Sequence, residues 1–247
     1  MAIKQYLLKK ISEKKHFQDV TRELKILNEV KKIDGCIKIF DVISDVNSLS
    51  FVMPWYPFRD LYQHLNLRSK KVTEKEAQHI CRQLIKILSD VHKMGIIHRN
   101  LNPESLLVAD MNLTIVLSNF AFAIKETDLF TLNQFNKIGT EEFIPYEMLI
   151  RDYPRKGKKV WYDRRVDIWS LGVIIFELLY GDTPFYTPSQ TWTEIKTCHL
   201  DFEFPKLLSG AVYTQAEDLF RRIFVKPEMR ITLAEMKEHP WLVNEIK

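Results

Sequence analysis

Eight consecutive residues, His98-Arg99-Asn100-Leu101-Asn102-Pro103-Glu104-Ser105, bring an imidazole, a guanidinium, two carboxamides, a carboxylate and a hydroxyl into one short segment. Its chemistry is limited by what the carboxamides can do. A carboxamide has no basic oxygen near neutral pH, so Asn100 cannot act as a general base. Ser105 offers a hydroxyl and no charge. Asn119, in Asn119-Phe120-Ala121, offers a neutral amide, a poor ligand for a hard dication that seeks anionic oxygens and phosphates. Cys36, Cys81 and Cys198 are odd in number, widely scattered and without a C-x-x-C pair. They read as reduced cysteines of an intracellular protein, not as a disulfide framework or a metal site.

The elements that must position these residues can be read from pattern. Ala2-Ile3-Lys4-Gln5-Tyr6 reads as a short strand. Phe17, Val20, Leu24, Leu27 and Lys31 follow steps of three and four, which marks an amphipathic helix ending near Val30 and closed by Asp34-Gly35. Strand-like runs from Ile37 to Ile43 and from Leu49 to Trp55 flank the polar turn Asp45-Val46-Asn47-Ser48. Pro54-Trp55-Tyr56-Pro57 then punctuates the chain as a candidate linker. Beyond it the pattern turns helical. Thr73 and Glu76 form a capping box, and Ala77, Ile80, Leu84, Ile87, Leu88 and Val91 line one face until Gly95. Apolar runs Leu106 to Ala109 and Leu113 to Leu117 suggest a hairpin about Asp110-Met111-Asn112. Ile168 to Tyr180 is apolar nearly all round, which implies a buried helix; it is too short for a membrane span and carries Glu177. Thr232 and Glu235 cap a last helix before His239-Pro240-Trp241-Leu242.

A chain of 247 residues with 46% hydrophobic and 28% charged side chains is ordinary globular material with ample length for a core. A net charge of +4 gives no positive reason to propose a nucleic-acid partner. No apolar secretory segment follows Met1, so a cytoplasmic location is the default. Arg151 to Arg165 carries seven basic residues around Trp161 and Tyr162. It is expected to be a solvated loop, with an acidic-partner dock or a nuclear-localisation patch as the alternatives.

Taken in order, these landmarks resemble a serine/threonine protein kinase domain, with a C-terminal part most similar to the calmodulin-dependent kinase group. His98 to Ser105 resembles the catalytic loop H-R-D-L-K-P-E-N, Asn119-Phe120-Ala121 resembles D-F-G, and Ala2-Ile3-Lys4 resembles the end of V-A-I-K. Asp167-Ile168-Trp169-Ser170-Leu171-Gly172 resembles D-x-W-S-x-G, and Gly139-Thr140 with Pro145-Tyr146-Glu147 resembles G-T…A-P-E. The resemblance implies an α+β, bilobal fold: a truncated, mainly β small lobe over residues 1–54, beginning at the lysine strand, and a mainly α large lobe over 55–247. It implies that Lys4 pairs with Glu23, that Asp167 holds the catalytic-loop backbone, and that Arg230 pairs with Glu147. It also assigns the adenine pocket to Met53, Pro54, Tyr56 and Leu107. Arg99 would be placed to pair a phosphate on Thr127, Thr131 or Thr140.

The same resemblance assigns the general base to the position of Asn100, a phosphate-facing lysine to that of Asn102, and the metal ligands to those of Ser105 and Asn119. All four chemical positions are replaced together. The chain contains no G-x-G, and only Met1 precedes Ala2. The Gly-rich roof of the nucleotide site is therefore expected to be missing, whether the protein begins here or the sequence is cut from a longer one. These features imply a pseudokinase that needs no cofactor, binds ATP weakly at most and without magnesium, and acts by binding an active kinase or another signalling protein. The alternatives are a serine/threonine kinase with atypical metal binding and a truncated or decayed kinase product. The strand Ala2 to Leu7 is expected at a sheet edge, open to pairing with a further strand or a second copy.

Overall fold

The computed structural model describes residues 1–11, 14–68, 72–131, 137–149, 162–205 and 213–244. Chain order begins with strand β1 (Ala2–Leu7), helix α1 (Leu8–Ile11) and helix α2 (Lys14–Val30). Strands β2 (Asp41–Ser44) and β3 (Ser48–Met53) follow and complete an antiparallel sheet of order β1-β3-β2. Lys4 pairs in register with Phe51, and Tyr6 with Leu49. β1 alternates half-buried Ala2, Lys4 and Tyr6 with exposed Ile3, Gln5 and Leu7, the two-residue period of a strand with one covered face. Among the described residues β1 pairs with β3 alone and so lies at the edge of the sheet, as expected.

Two readings of this region need correction. The buried stripe of α2 runs through Val20, Glu23, Ile26, Leu27 and Val30, while Phe17 is 58% exposed and Leu24 half-buried. The helix packs on the turn at Phe120–Phe122 and meets Lys4 and Tyr6 of β1 through Glu23, so its covered face is not a pure apolar stripe. The run Ile37 to Ile43 is not one strand. β2 starts only at Asp41, and Cys36 forms a parallel bridge with Leu117. The Ile37 N–H donates to the Leu117 carbonyl at 2.9 Å, so this stretch is anchored on a hairpin some eighty residues downstream.

The remaining elements are mainly helical. They are α3 (Leu61–Asn66), α4 (Glu74–Lys93), β4 (Ile96–Ile97), β5 (Leu106–Val108), β6 (Ile115–Leu117), β7 (Ile124–Lys125), α5 (Glu126–Thr131) and α6 (Tyr146–Leu149). They continue with α7 (Arg165–Tyr180), α8 (Gln190–His199), α9 (Thr214–Ile223), α10 (Leu233–Lys237) and α11 (Pro240–Val243). Both expected capping boxes form: Thr73 with Glu76 starts α4, and Thr232 with Glu235 starts α10. β5 and β6 make the expected hairpin, and β4 pairs with β7. The helix expected last in the chain is α10, followed by the additional turn α11 beginning at Pro240.

Helix α7 is the centre of the core. Every residue from Val166 to Phe176 is buried. Gly172 permits this crowding, since a Cβ there would lie 2.6 Å from Ile223 Cγ2 on α9. Trp169 stacks on Phe185 at 5.3 Å, and Phe224 meets Trp169, Phe185 and Phe202 edge-on at 5.2–5.5 Å. Among the described residues no helix is long and apolar enough to cross a membrane. The far end of the chain latches onto α4. Trp241 Nε1 donates to Glu74 at 2.8 Å, Gln78 donates to the Trp241 carbonyl, and Arg82 Nε donates to the Leu242 carbonyl at 2.8 Å.

Candidate active site

The segment His98 to Ser105 leaves β4 and enters β5, and its start is fixed from α7. Asp167, fully buried, accepts the backbone N–H of His98 and of Arg99 at 2.9 Å each and bonds His92 Nε2 at 2.8 Å. Burial alone would raise its pKa, but the hydrogen bond from the His92 ring and the backbone N–H of His98 more than offset this and hold it below the usual carboxylate range. The price of the tight turn is a left-handed backbone at Arg99, with φ 65°. His98 packs edge-on against Phe120 at 5.0 Å and bonds the Ser118 carbonyl through Nε2 at 2.8 Å. Burial lowers its pKa, disfavouring the imidazolium form, and among the described residues Nδ1 has no partner. His98, Phe120, Leu27 and Ile39 are all buried, as an ordinary core would also have them.

The carboxamides form a closed network. Asn100 Oδ1 accepts the Thr140 N–H at 3.0 Å and the Thr140 hydroxyl at 3.2 Å. Asn102 Nδ2 donates to Thr140 Oγ1 at 2.6 Å, and Asn102 Oδ1 accepts the Ser105 N–H at 2.9 Å. Ser105 Oγ donates to the Asn102 carbonyl at 2.7 Å and accepts the Asn102 N–H at 3.1 Å, closing a one-turn capping box. Gly139 lets the facing segment approach: its φ is 120°, and a Cβ would lie 3.1 Å from the Arg99 carbonyl. Asn119 stands apart from this network. It is exposed, in the left-handed region at φ 59° and ψ 56°, and its side chain makes no cap hydrogen bond. Asparagine is among the few residues that visit this region readily.

Lys4 and Glu23 meet as an ion pair at 2.6 Å with Glu23 buried, and the Tyr6 hydroxyl donates to the other oxygen of Glu23. Burial and the Glu23 charge push the Tyr6 phenol well above its ordinary pKa, so it remains a donor. Met53, Pro54, Tyr56 and Leu107 are each half-buried, and an antiparallel bridge between Asp60 and Leu107 brings the end of the linker onto β5. Among the described residues no hydrogen bond or ion pair joins Lys4 and Glu23 to Asn119. Thus two groups assemble, Lys4–Glu23–Tyr6 and Asn100–Asn102–Ser105–Thr140, and Asn119 belongs to neither.

Further from the cleft, Glu147 on α6 receives both terminal nitrogens of Arg230, at 2.6 and 2.9 Å, with both side chains buried. Arg230 also donates to the carbonyls of Ile223, Arg165 and Val225 and lies 4.9 Å from the Trp169 ring, so all of its N–H directions are used. Arg99 is buried, with Nε on the Phe122 carbonyl and Nη1 on the Tyr162 hydroxyl. Thr127 and Thr140 are exposed. Most of the basic segment 151–165 and the side chain of Thr131 lie outside the described residues. His92, Tyr6 and Thr140 were not read from the sequence as site partners. Thr140 already stood in a marked Gly-Thr pair, whereas nothing in the sequence near His92 or Tyr6 signals their roles.

A family model described as "Protein kinase domain" matches residues 1–242. An Aurora kinase of Debaryomyces hansenii is 29% identical over 241 residues, covering 95% of this chain and 55% of the relative. Calcium-dependent protein kinase 29 of Arabidopsis thaliana is 30% identical over 254 residues, covering 98% of this chain and 44% of the relative. Human serine/threonine-protein kinase MRCK alpha is 32% identical over 202 residues, 80% of this chain and 11% of that protein. The chain therefore spans about half the length of the first two relatives and about a tenth of the third.

Proposed function

Because this chain belongs to the protein kinase domain family, we propose that it uses that fold without phosphotransfer, and acts by binding another protein as a scaffold or as an allosteric regulator of an active kinase. The observation that carries this reading is the state of the two loop positions. Asn100, where the resemblance puts the general base, commits its carbonyl oxygen to the Thr140 N–H and hydroxyl. Ser105, where it puts a metal ligand, is fully buried with its hydroxyl donated to the Asn102 carbonyl. These side chains are neutral and occupied in holding the loop. Loss of a general base alone forfeits about 10²–10⁴-fold in rate. A magnesium ion would find a hydroxyl already committed at Ser105 and a neutral amide at Asn119, a donor set that does not fit a hard dication.

One observation favours a rival. The Lys4–Glu23 ion pair at 2.6 Å is the arrangement that a nucleotide-binding kinase needs to place phosphates. A kinase with atypical metal use is therefore the second reading. A radiometric autophosphorylation and peptide-array assay with magnesium and with manganese separates the two. No incorporation above the contaminating-kinase controls is expected. Incorporation that Lys4→Ala abolishes would overturn the proposal.

Nucleotide binding gives a separate test. The half-buried, largely apolar side chains of Met53, Pro54, Tyr56 and Leu107 suit a flat aromatic ring, and Lys4 remains for the phosphates. ATP is expected to raise the melting temperature slightly or not at all, and equally with magnesium and with EDTA. A shift that grows on adding magnesium counts against the donor-set argument.

A further inference from the structure

On the side of the molecule formed by α4 and α10 lies a groove of about 690 Å³. Its floor is apolar: Ile85 of α4, Leu233 of α10 and Leu242 of α11 lie buried at its base, and Ala234 is exposed beside them. Its rim is cationic. Arg82, Lys86 and Lys93 stand along the outer face of α4, and Lys237 stands opposite on α10. Among the described residues one carboxylate, Asp90, lines the groove, and it is bonded to Lys93 at 2.8 Å. Arg82 is held in place by its bonds to the Leu242 carbonyl and to Gln78 Oε1. Lys86 approaches Asp34 only to 3.8 Å, with both side chains largely exposed.

We infer that this groove docks an acidic, amphipathic helix of a partner protein. The inference deepens the protein-binding reading and rests on it, and it names the chemistry of the partner. Four cations against the lining carboxylate Asp90 and the neighbouring Asp34 leave the rim net positive and select an acidic segment, because like charges placed opposite this rim are penalised. The apolar floor selects a segment with a continuous apolar stripe, the helix-in-groove mode of recognition. Length agrees as well. Arg82 to Lys93 spans about 16 Å at 1.5 Å per helical residue, so a partner of about three turns places acidic side chains beside the whole rim. Asp90 and Lys93, an exposed i,i+3 pair, can separate to meet such a partner at little cost.

Fluorescence anisotropy on the full 247-residue chain tests this. The probe is a labelled peptide of about 14 residues, roughly four helical turns, with leucines at i, i+3, i+4 and i+7 and glutamates on the other face. Saturable binding is expected. It should weaken about tenfold in the Lys86→Glu/Lys93→Glu double variant, and about tenfold for Ala234→Trp, which fills the floor. Circular dichroism melts verify that both variants fold. Three results would overturn the inference: no saturation, equal binding of a peptide with the same composition but scattered leucines, or unchanged affinity in the folded variants. Phosphatidylserine vesicles that bind through the same lysines while the peptide does not would also overturn it, in favour of a membrane face. Phosphate transfer in the radiometric assay would refute the inactive reading and leave this result standing. Failure of the peptide to bind would refute the docking groove and leave the absence of phosphate transfer as it is.

Discussion

Asp167→Ala is expected to leave the chain largely unfolded at ambient temperature. The carboxylate holds three buried donors: the N–H groups of His98 and Arg99 and the ring of His92. Leaving each without a partner costs about 1–3 kcal/mol, a total of about 3–9 kcal/mol. Small folded domains hold about 5–15 kcal/mol in all, so the loss approaches the whole. Since that variant will yield little soluble protein, Asp167→Asn provides the measurable case. Its amide keeps one acceptor and turns a donor toward a donor, and thermal melts should show a clear but partial loss. The ionised carboxylate also sets a pH dependence. Its folded pKa lies below its unfolded value, so its stabilisation is complete above about pH 4 and is lost as pH falls through the lower folded value. Asp167→Asn should therefore flatten the acid limb of the melting-temperature profile. An Asp167→Asn protein with an unchanged melt and an unchanged acid limb would show that the loop is not held from α7.

Arg230→Ala should lower the melting temperature by about 6–20 °C. Breaking a buried ion pair costs roughly 3–5 kcal/mol, and a chain of this size loses about 2–4 °C per kcal/mol. The reason is the buried carboxyl group left behind: Glu147 receives both terminal nitrogens of Arg230 and would lose both at once. Three backbone carbonyls lose a charged donor at the same time. Glu147→Gln, which retains an acceptor for Arg230, should lose less. Differential scanning calorimetry of the three proteins checks the order. An Arg230→Ala melt that overlays the parent would mean the pair is hydrated in solution and contributes nothing to the packing of α6.

What could be read from sequence follows the range of each interaction. The capping boxes of α4 and α10 are local, their partners three positions apart, and were legible as such. The burial of α7 was legible because it is apolar on every face. The Asp167 and Glu147–Arg230 roles came from the order of family motifs, not from periodicity, and both occur at hydrogen-bonding distance. What escaped is short or distant. β4 and β7 are two residues each, too brief to show a period. Ile37 looks like a strand residue, but its partner Leu117 cannot be inferred from its neighbours. On α2, Phe17 matched the apolar spacing and is exposed, while charged Glu23 is buried because Lys4 and Tyr6 arrive from β1 to satisfy it. The coupling of Asn100 to Thr140 crosses forty positions and needs the fold to exist first.

The latch between α11 and α4 has a consequence for how the molecule is made. Trp241 and Leu242 reach Glu74, Gln78 and Arg82 across 160 to 167 positions of chain. At ribosomal speeds of about 5–20 residues per second, α4 waits about 8–30 s for its partner to emerge. During that interval the side of α4 that receives Trp241 is uncovered, and few local contacts replace it. Contacts this distant in the chain also slow folding after release, because loop closure precedes any gain from burial. A ribosome that stalls before position 241 would therefore release a chain whose helix α4 was never closed by α11.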